Sequence, residues 1–105
     1  MKWYHLVAAV AAGFFLGNAV PHFVAGVMGQ SFPSPFANPP GQGLSSPLVN
    51  TLWGLTNILI GYVLMRAGRV QMSDRASMAA FFLGLSIVGV MTSLLFGEAM
   101  GNPSF

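Results

Sequence analysis

Residues 3–65 contain no Lys, Arg, Asp or Glu, and neither do residues 76–97. A water-soluble domain carries about a quarter of its residues as charges, whereas here the charged share is 6% of 105 residues. Hydrocarbon selects for such a sequence, because each charge buried in it costs kilocalories unless it is paired. The chain is therefore expected to be an integral membrane protein, with the lipid bilayer as its first partner. A spanning helix needs about 20 apolar residues, so three spans fit comfortably in one domain.

Four basic residues give a pI near 9.7. Nucleic-acid binding would need them gathered into a basic patch on a folded surface, so that function is not expected. The chain has no cysteine, which removes disulfides, thiol nucleophiles and thiolate metal sites.

The expected fold is an all-α membrane bundle of three transmembrane helices with a long Pro/Gly-rich outer loop. The spans are expected at about residues 3–28, 47–66 and 75–97, the loop at 30–46 and a cytoplasmic turn at 67–74. Lys2 followed by an apolar stretch also has the outline of a secretory signal. One Lys and an Asn at the small-residue site (Gly17, Asn18, Ala19) are poor cues for cleavage, so an uncleaved anchor is expected. Trp3 and Tyr4 stand where an interfacial aromatic belt would. Pro21 predicts a kink or break. The loop, with Phe32 and Phe36 among its prolines, reads as extended segments and turns. Its lack of charge suggests that it lies on the membrane interface or folds back over the helices.

Ser46 and Pro47 form a sharp helix start. Arg66 complements the end of that helix and Gly68 is a candidate cap. Ser73 or Asp74 is expected to cap the third. All four basic residues fall before span one or between spans two and three, on one side of a three-span bundle. The positive-inside rule makes that side cytoplasmic. The amino terminus is then inside, and the loop and carboxyl terminus are outside, in a bacterial inner membrane.

In lipid, small residues that let helix backbones approach do much of the packing. The candidates are Gly13 and Gly17 in span one, Gly54 and Gly61 in span two, and Gly84 and Gly89 in span three. Their number exceeds what a three-helix monomer would bury. A homo-oligomer or a membrane-protein partner is therefore expected, with Gly13 and Gly17 as its contact.

Polar side chains inside spans must be satisfied, and several fall at similar depth. Asn18 and His22 lie one turn apart near the outer end of span one. Asn50, Trp53 and Asn57 share a face of span two, and Glu98 ends span three. These six form a candidate outer ligand site under the loop, with His22 and Glu98 as a possible pair. The same asparagines equally suit structural hydrogen bonds across helices. No catalytic residue is marked out and no enzyme is expected. No metal site is expected, since two His, one Glu and one Asp lack zinc-ligand spacing. The seven Met read as packing, and no cofactor is implied.

The segments Asn-Ala-Val-Pro-His-Phe (18–23), Pro-Phe-Ala-Asn-Pro-Pro-Gly (35–41) and Ser-Ser-Pro-Leu-Val-Asn-Thr-Leu-Trp-Gly (45–54) carry a recognisable pattern. It resembles that of small uncharacterised bacterial inner-membrane proteins. The resemblance spans about 40 residues and implies no activity, cofactor or site residue. The function expected is that of a non-enzymatic subunit packing on itself or on a larger complex. The alternative is a small oligomeric transporter or channel with an outer-leaflet polar site.

Overall fold

The computed structural model describes residues 2–103. Helices α1 (Trp3–Val27), α2 (Pro47–Ala67) and α3 (Arg75–Ala99) make up most of them, and each is long and apolar enough to cross a membrane. At 1.5 Å per residue they are about 31–38 Å long. The molecule measures 41 × 30 × 21 Å, so its long axis matches a bilayer with its headgroup regions.

The helix starts follow the local chemistry. Ser46 Oγ accepts from Val49 N at 3.2 Å and Pro47 occupies the first turn of α2, while Asp74 caps α3 by accepting from Ala76 N at 3.2 Å. Pro21 does not break α1, which runs unbroken to Val27. Neighbouring helices can support backbone that a proline leaves unpaired, so proline is tolerated inside such helices. α3 extends to Ala99, two residues further than expected. Residues 100–103 are non-helical, and 104–105 lie outside the described residues.

α1 is the central element and packs on both α2 and α3, which scarcely touch each other. Against α2 it presents His5, Ala9, Leu16, Phe23 and Gly26. α2 answers with Asn50, Gly54, Asn57, Gly61 and Gly68. Both stripes advance in steps of three, four or seven, the period that aligns helices at shallow crossing angles. The pair is antiparallel. A Cβ on Gly54 would stand 2.8 Å from Phe23 N, and one on Gly68 would stand 2.9 Å from Ala9 N.

α1 and α3 run parallel and meet on glycine from both sides. A Cβ on Gly13 would collide with the Phe81 carbonyl, and one on Gly84 with the Val10 carbonyl. Gly17 lies against Val88, which is 1% exposed. This corrects the expectation that Gly13 and Gly17 form the contact with a second subunit or partner. They are spent on α3 of the same chain. Gly89 departs from expectation too, since nothing approaches within 4 Å of its added Cβ, and the same is true of Gly97.

The loop after α1 is short of regular structure but closed. Phe32–Pro33 (β1) pairs antiparallel with Leu44–Ser45 (β2), with Phe32 opposite Ser45. Ser34 and Ser45 hydroxyls share a buried 2.6 Å hydrogen bond beside this ladder. The loop folds back on the helices, as one of the two sequence alternatives held. Phe32 rests against His22 and Phe96, with ring centroids 5.6 and 4.9 Å away, whereas Phe36 touches Trp53 but stays 65% exposed.

All three helices end on a residue with left-handed backbone: Gly29 (φ 75°), Arg69 (φ 52°) and Gly101 (φ 80°). At the end of α2 the N–H of Val70 reaches the Met65 carbonyl at 3.1 Å, and Arg69 occupies the place where glycine is favoured. The expected cap glycine, Gly68, sits one residue earlier with φ −80°, held against α1. Placing an arginine in this region costs on the order of 1 kcal/mol.

Candidate functional site

The loop, the carboxyl end of α1 and the amino end of α2 converge on Asn50. Its side chain is fully buried. Asn50 Nδ2 donates to the carbonyls of Phe32 (2.9 Å), Ser46 (3.2 Å) and Ser45 (3.3 Å). With the amide nitrogen turned to three carbonyls, Oδ1 faces His22 Nδ1 at 2.8 Å. Only a proton on Nδ1 makes that contact a hydrogen bond, so His22 donates through Nδ1. One asparagine thus joins α1, the β1–β2 loop and the first turn of α2.

A second connection lies deeper in the bundle. Asn18 Nδ2 donates to Asn57 Oδ1 at 3.1 Å, and Asn57 Nδ2 donates to the Trp53 carbonyl at 2.7 Å. His22 is 1% exposed and enclosed by Phe32, Trp53 and Phe96, each ring edge-on to it. The structure thus brings together five of the six residues expected at this site: Asn18, His22, Asn50, Trp53 and Asn57. The pairing is crossed relative to their order along the chain, as an antiparallel helix pair demands.

Glu98 is not one of this group. It is exposed and lines a separate cleft of ≈580 Å³ formed by Pro39–Gly43 and the end of α3. Phe96 occupies the position beside His22 that a carboxylate would need, so the expected His22–Glu98 pair does not form. The sequence reading missed Phe96, Ser34 and Ser45, and it singled out Phe32 in the loop without assigning it to this site. Phe32 and Phe96 had no signal beyond being aromatic at the right depth. Ser45 was hidden by its neighbour Ser46, whose capping role was plain.

The polar groups of the centre are largely committed to one another. Among the described residues, Trp53 Nε1 is the one buried side-chain nitrogen or oxygen without a hydrogen-bond partner. A lone buried donor of this kind costs about 1–3 kcal/mol. Beside it, Trp53 and Phe36 line an apolar groove of ≈330 Å³ with Val49, Leu52 and Thr56. Among the described residues no group of three or more His, Cys, Asp or Glu is placed to hold a metal ion.

Comparison with protein-family models, curated proteins and solved structures finds no match to this chain.

Proposed function

We propose that this chain is a non-enzymatic three-pass subunit of a bacterial inner membrane, packing on itself or on a larger membrane complex. The observation that carries the reading is the one-sided packing of α3. Of the other two helices it packs substantially on α1 alone, and it turns Gly89, Ser93 and Gly97, spaced by four, towards open space. Small residues at this spacing let a further helix approach closely. The asparagine centre supports the same reading from the other direction. Asn50, with His22, is engaged in bonds that hold the loop on the bundle, and Asn18 and Asn57 in bonds that join α1 to α2, both of them structural tasks.

Co-purification from native membranes tests it. The wild-type chain is expected to migrate as a stoichiometric complex, and a Gly89→Leu/Gly97→Leu double variant is expected to run as an inserted, folded monomer. If the double variant keeps the wild-type mass, the α3 face is lipid-exposed and the reading loses its support.

The alternative, a small oligomeric transporter or channel, draws on the unpartnered Trp53 Nε1 beside His22. Under that reading Trp53→Phe abolishes transport while preserving stability. Under the subunit reading the same change leaves partner retention intact, and the relief of an unpaired donor partly offsets the packing lost against His22 and Phe36.

The amino terminus and the 68–74 turn belong in the cytoplasm, and the loop and carboxyl terminus outside. Lys2, Arg66, Arg69 and Arg75 share one end of the molecule and support this orientation. Cysteine labelling reads it directly. Ser34 is fully buried and unsuitable, whereas Ser31 is exposed and Met72 is 91% exposed. Ser31→Cys is expected to label from outside intact cells, and Met72→Cys only after permeabilisation. The reverse pattern would invert the topology.

A further inference from the structure

At the end of the molecule away from the loop, the start of α1 and the α2–α3 turn border an open, shallow cavity of ≈460 Å³. It is lined by Lys2, His5, Arg69, Gln71 and Asp74. None of these residues takes part in the asparagine centre. We propose that this cavity binds the phosphodiester of an anionic phospholipid headgroup, with Arg69 and Lys2 as its ligands.

The backbone at Arg69 is the first reason. Three helices of this chain end with a left-handed residue, and two of them use glycine. α2 alone keeps a long cationic side chain in that conformation, and that side chain lines the cavity. The adjacent glycine is no spare, since Gly68 is pressed against the α1 backbone at Ala9 and His5. Glycine at 69 would satisfy the helix end better, and what the arginine supplies in its place is a guanidinium at the cavity. Strain held at one residue is a pointer to function when an unstrained choice exists.

Charge and position identify the ligand. Asp74 turns one carboxylate oxygen to Ala76 N, and no ion pair ties Lys2 or Arg69 to an acidic side chain among the described residues. Two cations against one carboxylate leave a single net positive charge in the cavity. That matches a phosphodiester, which carries one negative charge, better than a dianionic phosphate. The guanidinium fork suits two phosphodiester oxygens, and the Lys2 ammonium and the Gln71 amide supply further donors. The cavity also opens beside Trp3 and Tyr4, exposed aromatics of the kind found at headgroup depth, with Lys2 Nζ 5.8 Å from the Tyr4 ring centre. Basic pockets at helix ends in this position suit lipid headgroups. The inference holds for either orientation of the chain, since both leaflets present phosphodiesters.

Thermal unfolding of the full chain in neutral detergent tests the proposal, with short-chain phosphatidylglycerol, phosphatidylcholine and sodium phosphate as separate additions. Phosphatidylglycerol is expected to raise the wild-type Tm saturably. Arg69→Gly is expected to match or exceed the wild-type Tm without lipid, yet to bind phosphatidylglycerol about tenfold more weakly or worse. Lys2→Gln, at an exposed position with no capping bond, is expected to weaken the response as well and serves if Arg69→Gly fails to fold. An undiminished lipid response in the variants would overturn the proposal. So would an equal response to phosphatidylcholine, which would mark a general lipid effect, or to sodium phosphate, which would mark a free-anion site.

Discussion

Asn50→Ala is expected to be among the most destabilising single substitutions in this chain, at about 3 kcal/mol or more. The change removes every hydrogen bond made by one buried amide, from the Phe32, Ser45 and Ser46 carbonyls to the His22 ring. Each lost bond is worth about 1 kcal/mol, and a polar group left buried without a partner costs about 1–3 kcal/mol. The Ser46 carbonyl also accepts from the Asn50 backbone N–H, so the Phe32 carbonyl and the His22 donor carry most of the loss. Asn50→Asp keeps the shape and is expected to fare no better, since a carboxylate oxygen would replace an N–H donor opposite three carbonyls. Unfolding in a detergent titration, followed by circular dichroism, measures both. Proteolysis reports separately whether the loop detaches first. An Asn50→Ala protein with wild-type stability and a protected loop would mean that the loop is held by Phe32 packing and the Ser34–Ser45 bond alone.

A similar loss is expected from Gly84→Ala, and its contrast with Gly89→Ala carries the information. The new methyl at position 84 would run into the Val10 carbonyl, which is backbone of α1 and has no rotamer to yield. The two helices must separate, and overpacking of this kind costs roughly 1–3 kcal/mol, occasionally more. Gly89 lies five residues on in the same helix with open space beside it. There alanine is expected to be neutral or to stabilise by up to about 1 kcal/mol, the ordinary helix-propensity difference. Tm values of the two variants, measured in the same detergent, decide the matter. Equal behaviour at 84 and 89 would contradict the α1–α3 packing described here. Gly13→Ala, on the opposite side of the same crossing, is expected to follow Gly84→Ala.

Much of this architecture was legible without coordinates. Charge-free segments of sufficient length have few alternatives to a lipid-facing helix, and Ser46-Pro47 and Asp74 mark helix starts through bonds made within one turn of chain. Depth could be read as well, because position along a helix converts directly into distance, so His22 and the asparagines were placed at one level. Direction around the helix could not be read that way. Gly13, Gly17, Gly84 and Gly89 are the same residue at similar depths, and what separates them is whether another backbone stands opposite. The choice of partners for the asparagines was open for the same reason. Any of them satisfies any other at bonding distance, and only the antiparallel alignment of α1 on α2 joins Asn18 to Asn57 and His22 to Asn50. The absence of Glu98 from this group and the strained backbone at Arg69 were decided by packing too. Phe96 fills the space next to His22, and Gly68 is pinned against α1, leaving the left-handed turn to the arginine. Local chemistry along the chain determined which segments are helical and how deep each polar group lies. Contacts between segments, set by which backbones can approach within van der Waals distance, decided which of those groups meet.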